Sequence, residues 1–332
     1  MYLNPTEPAK PNNRVDTLLK QMSRTGFQGR KLGESVAVWS QMIQDPGVTI
    51  LAGLSGAMIP AGMQECLISL IENRYIDILV STGANIFHDI CEHVGIRHYL
   101  GHHVVDDEEL FRQGIDRIYD VFAYEEEFRS VDAKIAAFAE DLDGFLGSSA
   151  DFMRLLGAWL VQNYPSGRSL TATAARLNIP IFIPALCDSS IGIALVMARR
   201  GGHRIMIDQL ADADQLTRHV EDAQRTGVIY IGGGVPKNFI QQTQVIASIH
   251  DHGCGGHDYA IQYTTDTPHY GGLSGCTFEE AVSWGKESST CRKVQCFCDA
   301  TIALPLVTSA LLAGGIRRPV YAGRQEDEVQ AS

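Results

Sequence analysis

The stretch Glu279–Lys286 reads EEAVSWGK, and its residue types together suit a cationic aliphatic substrate. If the stretch is helical, Glu280 and Trp284 fall four apart on one face, offering a carboxylate and an aromatic ring to a single amine. Lys286 follows Gly285, whose backbone freedom can turn the lysine into a cleft. A lysine amine withdrawn from water beside apolar groups loses its proton more readily and can form a Schiff base. Taken alone, however, a single lysine is usually a solvated surface residue.

A second kind of chemistry is suggested by Gly232, Gly233 and Gly234, which directly follow an apolar run and precede Pro236, a residue at home in a first helical turn. Glycines there let backbone amides approach an anion at a helix N-terminus. The triplet is not the six-residue dinucleotide fingerprint, and a plain tight turn explains it equally well. Thr82, Gly83, Ala84 and Asn85 form another strand-to-helix turn, and two such turns favour a dinucleotide. Two clusters have metal-ligand types: His250, His252, Cys254 and His257, and His98, His102 and His103 before Asp106 and Asp107. Neither has the paired Cys-x-x-Cys spacing of a structural zinc site, and no metal is expected. Cys296 and Cys298 alternate along a strand and share one face, a pattern that buried packing explains.

The elements that must position these residues alternate. Runs at Val48–Gly53, Ile76–Ser81, Ile179–Leu186, Val228–Ile231, Tyr259–Thr264 and Lys293–Cys298 read as strands. Between them, Ile86, Ile90 and Val94 recur at helical spacing, as do Leu210, Ala213, Val220 and Ala223. This alternation predicts an α/β, Rossmann-like doubly wound fold: a mainly parallel sheet with helices on both faces. Polar or glycine-rich turns follow each strand, and the carboxyl ends of the strands in such a sheet form the ligand crevice. Residues 98–178 read as a helical insertion, 1–13 as an irregular arm, 14–322 as one α/β domain and 323–332 as a frayed tail.

Of the 332 residues, 45% are hydrophobic and 20% charged, which predicts a sizeable core rather than disorder. A formal net charge of −12 without basic clusters argues against a nucleic-acid partner and is compatible with a cationic ligand. No apolar run is long enough to span a bilayer, and the cysteines lack a framework spacing. Reduced thiols in a cytoplasm are therefore expected.

The runs SGCTFEEAVSWGK, CDATIALP, GGGVPKNF and STGANIFHD together resemble the deoxyhypusine synthase family, and its bacterial deoxyhypusine synthase-like branch most closely. The resemblance extends from about Leu18 to Leu312. It implies an NAD-dependent transferase that oxidises spermidine to an imine, passes the aminobutyl group to a lysine and then to an acceptor amine, and finally reduces the new imine. Lys286 would be that lysine, and Glu280 and Trp284 would hold the polyamine. The implied NAD contacts are Thr82, Gly83, Asp188, Gly232, Gly233, Gly234, Thr265, Asp266, Gly271, Ser274, Asp299 and Ala300. A homotetramer with sites at subunit interfaces is implied as well.

The departures from the family pattern concern the polyamine pocket. Ile193 and Leu273 stand where protein-modifying members are acidic, and Asn238 stands where they have histidine. Fewer anionic anchors weaken the binding of a tricationic amine, because each buried amine needs a partner to offset desolvation. The expected acceptor is therefore a small amine, as in a homospermidine synthase. The alternatives are a lysine of a translation factor, or a non-catalytic NAD-binding protein. His88 replaces a glutamate found in many members and is a candidate general base, since histidine titrates near neutrality.

Overall fold

The computed structural model describes residues 4–249 and 255–319, so the tail at 323–332 lies outside the described residues. In chain order the elements begin with α1 (Val15–Met22), α2 (Phe27–Gln44), β1 (Val48–Leu54), α3 (Gln64–Glu72), β2 (Ile78–Ser81), α4 (Gly83–His93) and β3 (Tyr99–Leu100). Next come α5 (Asp107–Arg112), β4 (Ile115–Ile118), β5 (Val121–Tyr124), α6 (Glu125–Glu140), β6 (Leu146–Gly147), α7 (Ser149–Asn163), α8 (Leu170–Arg176), β7 (Ile181–Phe182) and α9 (Ser190–Arg200). The chain continues with β8 (Met206–Ile207), α10 (Gln209–Glu221), β9 (Arg225–Ile231), α11 (Gly234–Ile249), β10 (His257–Thr264), α12 (Phe278–Ser283), β11 (Glu287–Phe297) and α13 (Ala300–Ala313). Residues 4–13 form neither helix nor strand; Glu7 of this arm pairs with Arg24 in the turn after α1.

The chain divides into two compact units. One comprises residues 1–54, 69–78 and 215–332. Its strands run parallel in the order β11-β10-β9-β1. The edge strand β11 is largely polar and partly exposed, whereas β1 and most of β9 are apolar and buried because both faces of the sheet are covered. Neighbouring residues of β10 show this: Gln262 reaches Lys237 of α11, while the Tyr263 hydroxyl donates to Ser35 of α2 on the opposite face. Trp39, Met42 and Ile43 of α2 are fully buried, each such side chain worth about 1.5–3 kcal/mol of apolar transfer. Ile231, Tyr263, Thr264 and Phe297 are in register, so the turns after β9, β10 and β11 leave from one edge. Those are the turns at 232–234, 265–272 and 299–301.

The other unit comprises residues 55–68 and 79–214. Leu79 and Val80 of β2 pair in parallel with β7, which is only two residues long because Pro184 has no N–H to continue the ladder. The segment read as a helical insertion contains α5 to α8, and also an antiparallel sheet in the order β3-β5-β4. Asp89 of α4 is fully buried and accepts four hydrogen bonds of 2.8 Å, from Gln64 Nε2, the amides of Leu170 and Thr171, and Thr171 Oγ1. It thereby supplies the acceptor that the N-terminus of α8 needs. The stripe expected on α10 is corrected: Leu210 is 82% exposed, while Leu216 and Val220 are buried. At the first turn of α10 the buried group is Asp212, whose carboxylate accepts from Ser149 and Ala150 at the start of α7.

Candidate active site

Lys286 is held by its main chain before its side chain is considered. Thr277 caps α12, its Oγ1 accepting the Glu280 N–H at 3.1 Å. The helix ends at Trp284, and Gly285 follows with φ of 70°. Gly285 N–H donates to the Val282 carbonyl at 3.0 Å and Lys286 N–H to the Ala281 carbonyl at 3.1 Å, the paired bonds of a Schellman end. The Lys286 carbonyl in turn accepts from His257 N–H of β10 at 3.1 Å. Gly285 is required by this left-handed position, not merely tolerated. Gly285→Ala is expected to cost about 1 kcal/mol in urea unfolding and to lower turnover by misplacing the lysine.

From this anchor the Lys286 Nζ donates to Asn238 Oδ1 at 2.9 Å and lies 5.7 Å from the centre of the Trp284 ring. Asn238 comes from the opening turns of α11, and Trp284 is 66% exposed, so one face of the indole covers the amine while the other meets solvent. The structure thus joins Lys286, Asn238 and Trp284. Glu280 lies one turn earlier on α12 with an exposed side chain.

Beneath Lys286 is a buried polar layer that the sequence analysis missed. Lys237 is 1% exposed, and its Nζ donates to Gln262 Oε1 at 2.9 Å and to the Cys276 carbonyl at 2.6 Å. Gln262 Nε2 donates to the carbonyls of Gly232 and Ser274, each at 2.8 Å, and Gln295 Nε2 donates to Gln262 Oε1. The layer therefore fixes the backbone of two turns at once. Burial pushes Lys237 down to about 8. Glu287, next in sequence to Lys286 and bonded by Gln241 Nε2 at 3.2 Å, is pushed up to about 8 by burial. The sequence signal was present in Gln262 and Gln295, polar residues inside buried strands.

The sign of the Glu287 effect follows from its protonation. The folded chain retains a proton that the unfolded chain releases between 4.5 and about 8. Stability from this group is complete below 4.5 and lost as the pH rises through about 8. Lys237, displaced downward from 10.5, acts above that window. Urea unfolding at about pH 5 and about pH 8 is expected to show wild type losing more stability over this interval than Glu287→Gln. Equal losses would contradict the assignment.

The residues expected to meet a dinucleotide occur in both units. After β9, Gly232 and Gly234 have φ of 81° and 56°. A Cβ on Gly233 would lie 2.4 Å from Ser274 Cα, and Ser274 Oγ accepts the Gly234 N–H at 3.0 Å. The triplet thus leads into α11 by a path open only to glycine. After β10, Thr265 is exposed, Asp266 Oδ1 accepts the Thr267 N–H at 3.2 Å, and Gly271 has φ of 67°. After β11, Asp299 Oδ1 caps α13, accepting from Thr301 N and Oγ1 at 2.7 Å each, with Ala300 as the first helical residue.

In the other unit, Thr82 caps α4, accepting from Asn85 Nδ2 at 3.0 Å. A Cβ on Gly83 would lie 2.3 Å from Ser189 Oγ, and Asp188, exposed, immediately precedes that serine. Helix N-termini with carboxylate or hydroxyl caps and glycine-only turns suit the phosphates and ribose hydroxyls of NAD.

His88 Nδ1 is 3.0 Å from His98 Nε2, and His98 Nδ1 is 2.9 Å from Glu92 Oε1. Phe87 and Phe128 meet the His88 ring edge-on. Burial, and secondarily the neighbouring His98, hold His88 down to about 3. An imidazole so biased toward its neutral form has low proton affinity, which is unfavourable for a general base near pH 7. Of the metal-type residues, Asp106 caps α5, and His102 Nδ1 accepts the Val104 N–H at 3.1 Å. His257 is buried with Nδ1 2.8 Å from Thr226 Oγ1, whereas His250, His252 and Cys254 lie outside the described residues. Among the described residues, no three His, Cys, Asp or Glu side chains are grouped to hold a metal, and no helix is long and apolar enough to cross a membrane.

Comparison with known proteins identifies the family. The family model described as deoxyhypusine synthase matches residues 17–311. The chain is 57% identical over 309 residues to "Probable deoxyhypusine synthase 2" of Methanosarcina acetivorans, covering 93% of this chain and 90% of that protein. It is 34% identical over 317 residues to the "Deoxyhypusine synthase-like protein" of the bacterium Elusimicrobium minutum, covering 93% and 84%. In fold it is similar to a solved Entamoeba histolytica structure assigned to deoxyhypusine synthase, with a TM-score of 0.65 at 17% identity, over 95% of this chain and 98% of that one. With a lysine presented by a Schellman turn in the EAVSWGK segment and a match over nearly its whole length, this chain belongs to the deoxyhypusine synthase family of NAD-dependent aminobutyl transferases.

Proposed function

We propose that this chain transfers an aminobutyl group from a polyamine or diamine to an acceptor amine through an imine on Lys286. The observation that carries the reading is Lys286 Nζ bonded to Asn238 Oδ1 and covered by Trp284. Bound NAD supplies a hydride acceptor for oxidation of the donor amine and returns the hydride at the end. Lys286 attacks the oxidised carbon and expels the donor's leaving amine; the acceptor amine then attacks the same carbon and releases Lys286. Asn238 orients the lysine, Trp284 excludes water and stacks on the cationic chain, and Glu280 pairs with an ammonium group. His88 serves as a neutral hydrogen-bonding group. In the unit that carries Lys286, the glycine turn after β9 and the turns after β10 and β11 would hold NAD.

For the acceptor, Ile193 and Leu273, 54% and 48% exposed, favour a small amine, because a polycation finds no carboxylate at either position. Likeness to proteins named deoxyhypusine synthase favours a protein lysine as the second reading. We place the enzyme in the cytoplasm as a homotetramer with its sites at subunit interfaces.

The test is to incubate the purified chain with NAD and spermidine or putrescine, reduce with borohydride and map adducts by mass spectrometry. An aminobutyl mark on Lys286 supports the proposal, and its absence points to a non-catalytic NAD-binding protein. A parallel incubation with free amines and with a candidate translation factor decides the acceptor. Product only on a protein lysine would overturn the small-amine reading.

A further inference from the structure

Cys296 and Cys298 take no part in the site just described. Residues two apart in a strand project from the same face, with Cα atoms about 6.6 Å apart, near the upper limit for a disulfide. Here the two sulfurs lie 3.3 Å apart. That is inside the ~3.5–4.0 Å at which smaller carbon atoms rest, so the two thiols are in hydrogen-bond contact, with either able to donate. Cys296 is fully buried. Cys298 is partly exposed and lies one residue past Phe297, the last residue of β11 paired with β10. Phe297 N–H donates to Gln28 Oε1 at 2.8 Å, which pins the strand end while leaving Cys298 beyond the ladder. Cys298 is thus the more accessible of the two. With no third metal-ligating side chain grouped with them among the described residues, chelation does not account for the approach.

We propose that Cys298 and Cys296 form a hydroperoxide-reactive dithiol, with Cys298 as the attacking sulfur, Cys296 as the resolving thiol and an intrachain disulfide as the product. The Cys298 thiolate attacks one oxygen of the peroxide; a sulfur–oxygen bond forms, the O–O bond breaks and the other oxygen leaves as hydroxide, taking a proton to become water. Cys296 then attacks the sulfenic sulfur, the S–S bond forms and a second water departs. Each peroxide is reduced by two electrons, and the dithiol loses two hydrogens. The mutual contact of the two thiols lowers the Cys298 pKa and raises that of Cys296, consistent with these roles. The disulfide would sit immediately before Asp299, the cap of α13.

The test uses the reduced full-length chain, freed of reductant, exposed to graded hydrogen peroxide, quenched with iodoacetamide and digested with trypsin. Cleavage after Lys293 and Arg317 releases one peptide with both cysteines. At doses that leave the exposed Cys187 alkylated, this peptide is expected to lose both alkylation sites, to be two hydrogens lighter and to recover both sites with dithiothreitol. Cys298→Ser is expected to abolish the oxidation of Cys296, and Cys296→Ser to leave a sulfenic acid on Cys298 that dimedone traps. The inference is overturned if both thiols remain alkylated at a dose that consumes Cys187, if either sulfur pairs with a different cysteine, or if Cys296 oxidises equally fast in Cys298→Ser. The wild-type measurement decides the matter even if a serine variant fails to fold.

Discussion

Lys286→Arg is expected to lower turnover by about 10⁴-fold or more, the scale at which loss of a covalent nucleophile leaves only binding and positioning. Arginine keeps the charge and can still donate to Asn238 Oδ1, the present partner of Lys286 at 2.9 Å. It cannot form the imine, because its guanidinium does not lose its proton in proteins. Steady-state turnover, borohydride trapping and a melting curve together check this. Loss of adduct with unchanged melting assigns the lysine to chemistry, whereas full activity in the variant would refute the covalent step. The Lys286 side chain is only partly buried, so little of the core depends on it.

The largest stability effect is expected at Asp89→Ala. The Asp89 carboxylate is the acceptor for four donors in a fully buried position. Alanine leaves those N–H and O–H groups without water or protein partners, a loss of about 3–5 kcal/mol in urea unfolding. Asp89→Asn keeps the shape but presents two donors to donors, so a smaller loss of about 1–3 kcal/mol is expected. A loss below about 1 kcal/mol for the alanine variant would mean that water or a rotated side chain replaces the carboxylate. The readout bears on function because Asp89 follows His88 on α4, the helix that opens with Thr82 and Gly83.

The parallel α/β architecture was legible because buried parallel strands are nearly uniform apolar runs, as in VTILAGL of β1. Strand ends were less so: the run Ile179–Leu186 has the right composition, but pairing stops after Phe182. The β3-β5-β4 sheet escaped because strands of two to four partly exposed residues carry little periodicity. On α10 the stripe drawn through Leu210 put weight on an apolar residue that faces water, while the buried position was Asp212. Polar burial is invisible to a hydrophobic pattern.

The same physics explains what was legible of the site. Lys286 and Trp284 were singled out through residue type and the family resemblance, and the glycine triplet through its strand-to-helix context. Asn238 as the partner of Lys286 required the contact itself, since 48 positions separate them. The most deeply buried lysine is Lys237, whose neighbours in sequence, Pro236 and Asn238, give no hint that Gln262 and the Cys276 carbonyl will receive its protons. Lone lysines read as surface residues, and here tertiary packing reversed that expectation.

The Schellman end of α12 has a consequence for how specificity can diverge. Three main-chain bonds at Gly285 and Lys286 place the nucleophile, and none involves a side chain. Its ordering entropy is already spent in folding, so a newcomer amine need not supply it on arrival. Surrounding side chains are consequently free to drift toward other donors and acceptors while the reactive nitrogen keeps its address.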